Sequence, residues 1–207
     1  MYKAALFDLD GVLVDSEGIY SDFWKQAGNE YGIAVPHFEQ VIKGSTLEQI
    51  LDMYFPDPEK RSRVVTQLAD REKNMRYRLF DGVTEFLDRL KAKNIPMVIV
   101  TSSNAAKMEH LFNQLPYFRQ YFADVLTDKD VTCSKPDPEG YLKAAGRLGI
   151  DPADCIVFED SLNGVKAGNA AGAKVIALST TNPTERLAEF TSTIFPTLAD
   201  VDPDCWF

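Results

Sequence analysis

The segment that most constrains this chain is Ala4-Ala5-Leu6-Phe7-Asp8-Leu9-Asp10-Gly11-Val12-Leu13-Val14-Asp15-Ser16. Four apolar residues in a row, with no polar alternation, predict a short strand buried on both faces of a parallel sheet. The run ends on two aspartates at i and i+2, whose side chains leave a strand on the same side. Gly11 then lets the backbone turn away without a Cβ clash. Two carboxylates about 4 Å apart repel by roughly 4 kcal/mol at an effective dielectric near 20. Such a pair persists where a hard divalent cation or a shared proton offsets the repulsion. The plainer alternative is a strand-ending turn in which Asp10-Gly11 supplies turn chemistry alone. The carboxyl ends of buried strands are also where open α/β sheets bind their ligands.

The 207 residues suffice for one large domain or two modest ones. A hydrophobic content of 45% with 11% aromatics supports a real core rather than a disordered chain. A net charge of −9 argues against nucleic-acid or anionic-membrane binding, since both need a basic footprint. Asp8 and Asp10 interrupt the first apolar run, so no signal-peptide core is expected, and no run approaches the ~18 apolar residues of a membrane span. Cys133, Cys155 and Cys205 lack metal-ligand spacing, and with only His37 and His110 beside them no zinc site is expected. The expected setting is the cytoplasm, with reduced thiols.

Beyond Ser16 the apolar period changes from strand to helix. Ile19, Tyr20, Phe23, Trp24, Ala27 and Tyr31 form a stripe of 3.6-residue spacing over 17–31, and Gly32 can stop that helix. Residues 36–43 read as a short helical piece, and Ser45-Thr46-Leu47-Glu48 as a capping box opening a helix through Tyr54. Asp57-Pro58 then opens a long helix to about Leu79. Residues 15–80 are therefore expected to form an inserted all-helical domain, with 1–14 and 81–207 forming an α/β core.

From Asp81 onward strands and helices alternate. Strands are expected at 96–101, 123–126, 155–158 and 173–178, with a possible edge strand at 193–195. Helices are expected at 83–93, from Ser102-Ser103-Asn104 to about Leu115, from Asp137-Pro138 through Leu148, at 163–171, and after Asn182-Pro183-Thr184-Glu185. Pro203 reads as an interruption of the tail. The alternation calls for a doubly wound, Rossmann-like parallel sheet with helices on both faces.

In such a sheet the strand ends converge on one rim. The first strand delivers Asp8 and Asp10, the second Thr101-Ser102, the fourth Glu159-Asp160, and Lys135 sits in the loop Cys133-Ser134-Lys135-Pro136-Asp137-Pro138. Taken singly each has a structural explanation: an N-cap for Thr101–Ser103, first-turn acids for Glu159-Asp160, a solvated loop residue for Lys135. Together they supply acids for a metal, donors for phosphate oxygens and one cation.

Asp8-Leu9-Asp10-Gly11-Val12, Thr101, Lys135-Pro136 and Glu159-Asp160, in this order, resemble the four motifs of the haloacid dehalogenase superfamily. The continuation Asp15-Ser16-Glu17, the Lys135–Pro138 loop and Phe158-Glu159-Asp160-Ser161 resemble its phosphatase and β-phosphoglucomutase-like branch, and the helical block lies where that branch inserts a small cap. The resemblance implies that Asp8 is the nucleophile of an aspartyl-phosphate and Asp10 the acid and base. It implies Mg²⁺ held by Asp8, the Asp10 carbonyl and Asp160, with Glu159 nearby or acting through water. Thr101, the Ser102 amide and Lys135 would hold the phosphoryl oxygens.

Within that branch, β-phosphoglucomutases carry a histidine where Tyr20 stands and an arginine in the cap loop, whereas the loop 43–48 here has none. Both departures favour a phosphatase acting on a small phosphorylated metabolite over a phosphosugar mutase. The retained Asp10 argues against a dehalogenase. A phospho-accepting switch is a third alternative, disfavoured by the second aspartate and the large insertion. Lys43 is the cap residue expected to face the site; the basic run of the long helix reads as a solvated face, with Lys73 or Arg78 the better guess if one of its members reaches the site. Tyr20, Phe23 and Trp24 are expected in the cap core, and the chain is expected to be a monomer.

Overall fold

The computed structural model describes residues 1–207, the side chain of Glu17 excepted. Its centre is a six-stranded sheet of β1 (Ala4–Phe7), β2 (Met97–Val100), β3 (Asp124–Leu126), β4 (Cys155–Glu159), β5 (Lys174–Leu178) and β6 (Ile194–Phe195). The order is β3-β2-β1-β4-β5-β6 and every pairing is parallel. The chain builds outward from β1 to one edge, then returns to lay β4 on its other side. The strand order thus reverses at β1, where open sheets leave a crevice for ligands.

The two-residue period of the strands divides their side chains between two cores. Ala5, Phe7, Ile99, Ile156, Phe158 and Ile176 face α5 (Val83–Ala92) and α6 (Ala105–Gln114). Ala4, Leu6, Val98, Val100, Val157 and Val175 face α7 (Glu139–Leu148) and α8 (Leu162–Ala170). That is why the strand sequences are apolar without alternation. Phe7 and Phe158 stack with centroids 4.8 Å apart, one residue before Asp8 and Glu159, so the rim acids rise from a packed aromatic floor.

Residues 17–73 form a helical layer: α1 (Glu17–Tyr31), α2 (Phe38–Val41), α3 (Leu47–Tyr54) and α4 (Pro58–Lys73). It has its own core, with Phe23, Trp24, Phe38, Ile50, Phe55 and Leu68 buried together. The α1 stripe ends at Gly32 in the left-handed conformation, as the spacing predicts. The cap of α3 lies one residue later than expected: Thr46, not Ser45, accepts from the Gln49 amide.

α4 departs most from expectation, stopping at Lys73 rather than near Leu79. Asn74 ends it, and Met75 and Tyr77 sink into the core of the sheet. The extended backbone finds partners a further helical turn would forgo. Gln114 accepts from Tyr77 N at 3.2 Å and donates to Met75 O at 2.8 Å. Asp15 N donates to Arg78 O at 2.8 Å, and Leu79 bridges Val14 antiparallel. The two crossings between sheet and helical layer therefore lie paired side by side.

After β5 come α9 (Thr184–Leu187) and β6, the expected edge strand. The C-terminal segment is no loose tail. Val201 and Phe207 are buried, Tyr2 N donates to Trp206 O at 2.9 Å, and Arg89 pairs with Asp202 and Asp204. Among the described residues no helix is long and apolar enough to cross a membrane.

Candidate active site

Adjacent parallel strands in register deliver their ends to one point. Phe7 pairs with Phe158, so the next residues, Asp8 and Glu159-Asp160, emerge side by side. One carboxylate oxygen each of Asp8, Glu159 and Asp160 lie within 4.8 Å of one another. Asp160 is 1% and Glu159 0% exposed. Gly11 makes this approach possible: at φ +83° it adopts a conformation side chains resist, and a Cβ there would sit 2.0 Å from Asp160 Oδ2. Asn182 Nδ2 donates to the Asp160 carbonyl at 2.9 Å and holds the loop.

Lys135 is buried and closes one side of this cluster. Its ammonium donates to Asp8 Oδ1, to Glu159 Oε1 at 2.6 Å and to the Val100 carbonyl at 3.1 Å. The solvated-loop explanation for Lys135 is thereby excluded. Both oxygens of Glu159 are occupied: Oε1 also accepts from Tyr141 OH at 2.7 Å, and Oε2 from the amides of Asp160 and Ser161 and the Ser161 hydroxyl. A Cβ at Gly164 would fall 1.8 Å from Glu159 Oε1, so α8 gives up a side chain to seat this carboxylate. Glu159 anchors Lys135 and the loop through these bonds while standing in one acidic cluster with Asp8 and Asp160.

Burial pushes the Asp8 carboxyl up to about 8, with Lys135 opposing and Glu159 adding to the rise. Asp10 behaves in the opposite sense. Burial would raise it, but Lys107, Ser16 and Ser103 overcome that and hold it below the usual carboxylate range. Lys107 Nζ lies 2.7 and 2.6 Å from the two Asp10 oxygens, Ser103 Oγ donates at 3.0 Å, and Ser16 Oγ donates as well.

Thr101 is buried after β2, and its hydroxyl accepts from Ser103 N at 3.0 Å. Ser102 Oγ donates to the Gly44 carbonyl at 3.0 Å, joining the rim to the helical layer, and Asn163 Nδ2 does the same to the Lys43 carbonyl at 2.8 Å. Between rim and layer lies a cavity of about 140 Å³ that brings Asp8, Asp10, Thr101, Ser102 and Asp160 together with Lys43. Trp24, Ile50 and Leu68 form its apolar wall. The charged residue of this stretch that lines it is Glu72, not Lys73 or Arg78. Tyr20 and Trp24 serve both layer and cavity, and Tyr20 OH donates to Glu72 Oε1 at 2.8 Å.

Sequence reasoning missed Ser16, Ser103, Lys107 and Tyr141. Lys107 and Tyr141 sit on helices with no motif around them, and only their partners reveal them. Ser16 and Ser103 stood inside segments already singled out, where an N-cap explained a hydroxyl well enough.

The cluster of carboxylate oxygens, and an Asp8 driven toward its neutral form by burial, are what a hard divalent cation would relieve. The residues fit such an ion.

A family model described as haloacid dehalogenase-like hydrolase matches residues 2–172. The chain is 32% identical over 197 residues to validoxylamine A 7'-phosphate phosphatase of Streptomyces hygroscopicus subsp. limoneus, covering 91% of each. It is 31% identical over 195 residues to hexitol phosphatase A of Escherichia coli (strain K12), covering 90% of this chain and 88% of that one. A family IA hydrolase structure from Entamoeba histolytica superposes with a TM-score of 0.82 at 22% identity, over 98% of this chain and 96% of that one. By sequence, sheet order and rim, this chain belongs to the haloacid dehalogenase-like hydrolases.

Proposed function

We propose that the chain is a Mg²⁺-dependent phosphatase that hydrolyses the phosphoric monoester of a small metabolite through an aspartyl-phosphate on Asp8. The observation that carries this is Asp8 itself, paired with Lys135, grouped with the Asp160 carboxylate and lining the cavity between rim and helical layer. Asp8 Oδ attacks phosphorus and the bond to the leaving oxygen breaks as Asp10, which must enter this step protonated although its donors favour the ionised form, gives that oxygen a proton. Asp10 then takes a proton from water as the water attacks phosphorus, and inorganic phosphate leaves the restored Asp8 carboxylate. Asp8, Asp160 and the Asp10 carbonyl would hold Mg²⁺, which when bound neutralises charge on the phosphoryl oxygens and on Asp8. Thr101 and Ser102 line the same cavity, and they and Lys135, paired with Asp8, would supply the remaining donors.

The helical block, residues 15–80, is read as a cap whose inner wall selects the substrate, with Lys43 its cationic contribution. Beyond the rim cluster the cavity is lined by Glu39, Glu72 and Asp128, against Lys43 and Lys107 among the described residues. That balance suits a neutral leaving group rather than one with a second phosphate, and so hydrolysis rather than a bisphosphate-driven mutase. The relatives named above act, by name, on phosphorylated small molecules, which supports the same class. A cytoplasmic monomer fits this role.

The test is a panel of phosphate monoesters, phosphosugars and pyrophosphate assayed with and without Mg²⁺, with borohydride trapping of an acyl phosphate at residue 8. Metal-dependent phosphate release with label on Asp8 is expected. Positional isomerisation outpacing phosphate release in the presence of a bisphosphate would establish the mutase instead, and a phosphoaspartate lasting minutes would establish a switch.

A further inference from the structure

Lys107 lies outside every motif in the sequence, yet it is 4% exposed on the first turn of α6. A buried ammonium is costly unless paired, and this one is paired on two sides. Asn104 caps α6 by accepting from Lys107 N at 2.8 Å, which fixes the turn from which the side chain starts. Its Nζ then reaches both Asp10 oxygens, while the Tyr20 ring covers its other side at 4.2 Å from the centroid. Ser16 and Ser103 complete the grip on the carboxylate, so donors from the starts of two helices, α1 and α6, converge on Asp10. Each rim aspartate therefore has its own buried lysine: Lys135 for Asp8, Lys107 for Asp10.

We propose that Lys107 is a positioning residue for proton transfer, fixing the Asp10 carboxylate where the leaving oxygen departs. This rests on Asp10 as the acid and base. Proton transfer needs heavy atoms within about 2.6–3.2 Å, and a misplacement of about 1 Å costs roughly 100-fold. Lys107 touches neither phosphoryl-binding lysine nor metal ligand oxygens of Asp8 and Asp160, so its loss falls on proton transfer and spares attack on phosphorus.

The experiment compares Lys107→Met and Lys107→Arg on two monoesters, following the first turnover. An alkyl phosphate needs its leaving oxygen protonated; p-nitrophenyl phosphate does not. Lys107→Met should slow alcohol release roughly 100-fold while p-nitrophenol release falls less than about threefold. Lys107→Arg, which keeps a cation beside Asp10, should show the same bias and recover alcohol release to within about tenfold of wild type. Equal losses on both esters, in either variant, would make Lys107 merely structural and overturn the proposal, as would unchanged alcohol release. Circular dichroism checks folding, and if the methionine variant unfolds the arginine variant decides. Asp10→Asn run in parallel separates the two ideas: if it lacks the leaving-group bias, the assignment of Asp10 fails independently of Lys107.

Discussion

Asp8 and Asp10 leave the same strand end two residues apart, and the structure gives them opposite surroundings. The Asp8 side of the rim is built by the sheet: β4 supplies Glu159 and Asp160, and the loop before α7 supplies Lys135. Carboxylates crowd there, and burial lifts Asp8 despite the lysine. The Asp10 side is built by helix starts: Ser16 before α1, Ser103 before α6, and Lys107 within it. Donors crowd there, and they overcome burial to lower Asp10. Identical residue types thus acquire different chemistry from the elements that face them. Asp8 stands among acids and one lysine where a cation would relieve the crowding, and Asp10 in a ring of donors that favours its ionised form.

The largest test of that division is Asp8→Asn, which should abolish phosphate release and the trapped acyl phosphate while the circular dichroism spectrum stays native. Asp10→Asn should cut kcat by about 10²–10⁴ and leave acyl-phosphate trapping detectable with an aryl substrate. Similar residual activities and trapping in the two variants would erase the distinction. Lys135→Met should lower kcat/KM by roughly 10²–10³. It also leaves Asp8 and Glu159 facing each other without a cation, at a cost of about 3–5 kcal/mol measured by urea unfolding. Gly11→Ala should raise the Mg²⁺ concentration needed for half activity by roughly 10–100-fold, because its Cβ displaces the Asp160 carboxylate. The smallest effect is a pH dependence. Mg²⁺ binds the ionised form, and metal-free Asp8 is lifted to about 8. Apparent Mg²⁺ affinity should therefore weaken as pH falls below about 8, with proton release on binding seen by calorimetry in two buffers. Affinity independent of pH between 6 and 9 would contradict the lifted Asp8.

The fold was legible where sequence periodicity is strong. Apolar runs gave the central strands β1, β2 and β4 most clearly, because both faces of each are covered. The end of α4 was not legible, since Met75 and Tyr77 continue an apolar pattern whatever backbone carries them; partners on Gln114 and at residues 13–15 decide the matter. At the site, strand-end acids announced themselves because paired carboxylates need a reason. Lys107 did not, since one lysine in an amphipathic helix looks solvated until Asp10 and Tyr20 are placed around it. The basic run of α4 is the solvated face that such a charge run suggests. Its charges lie on the outer face, and the acid Glu72 is the side chain turned inward.

Gly164 bears on any effort to make this enzyme sturdier. An exchange of glycine for alanine inside a helix ordinarily gains up to about 1 kcal/mol, so a stabilising library would place position 164 high among its targets. Here the added methyl would collide with Glu159, which is fully buried and held by the Lys135 ammonium, the Tyr141 hydroxyl and two backbone amides. At that position the exchange would cost stability and deprive the lysine beside Asp8 of its anchor.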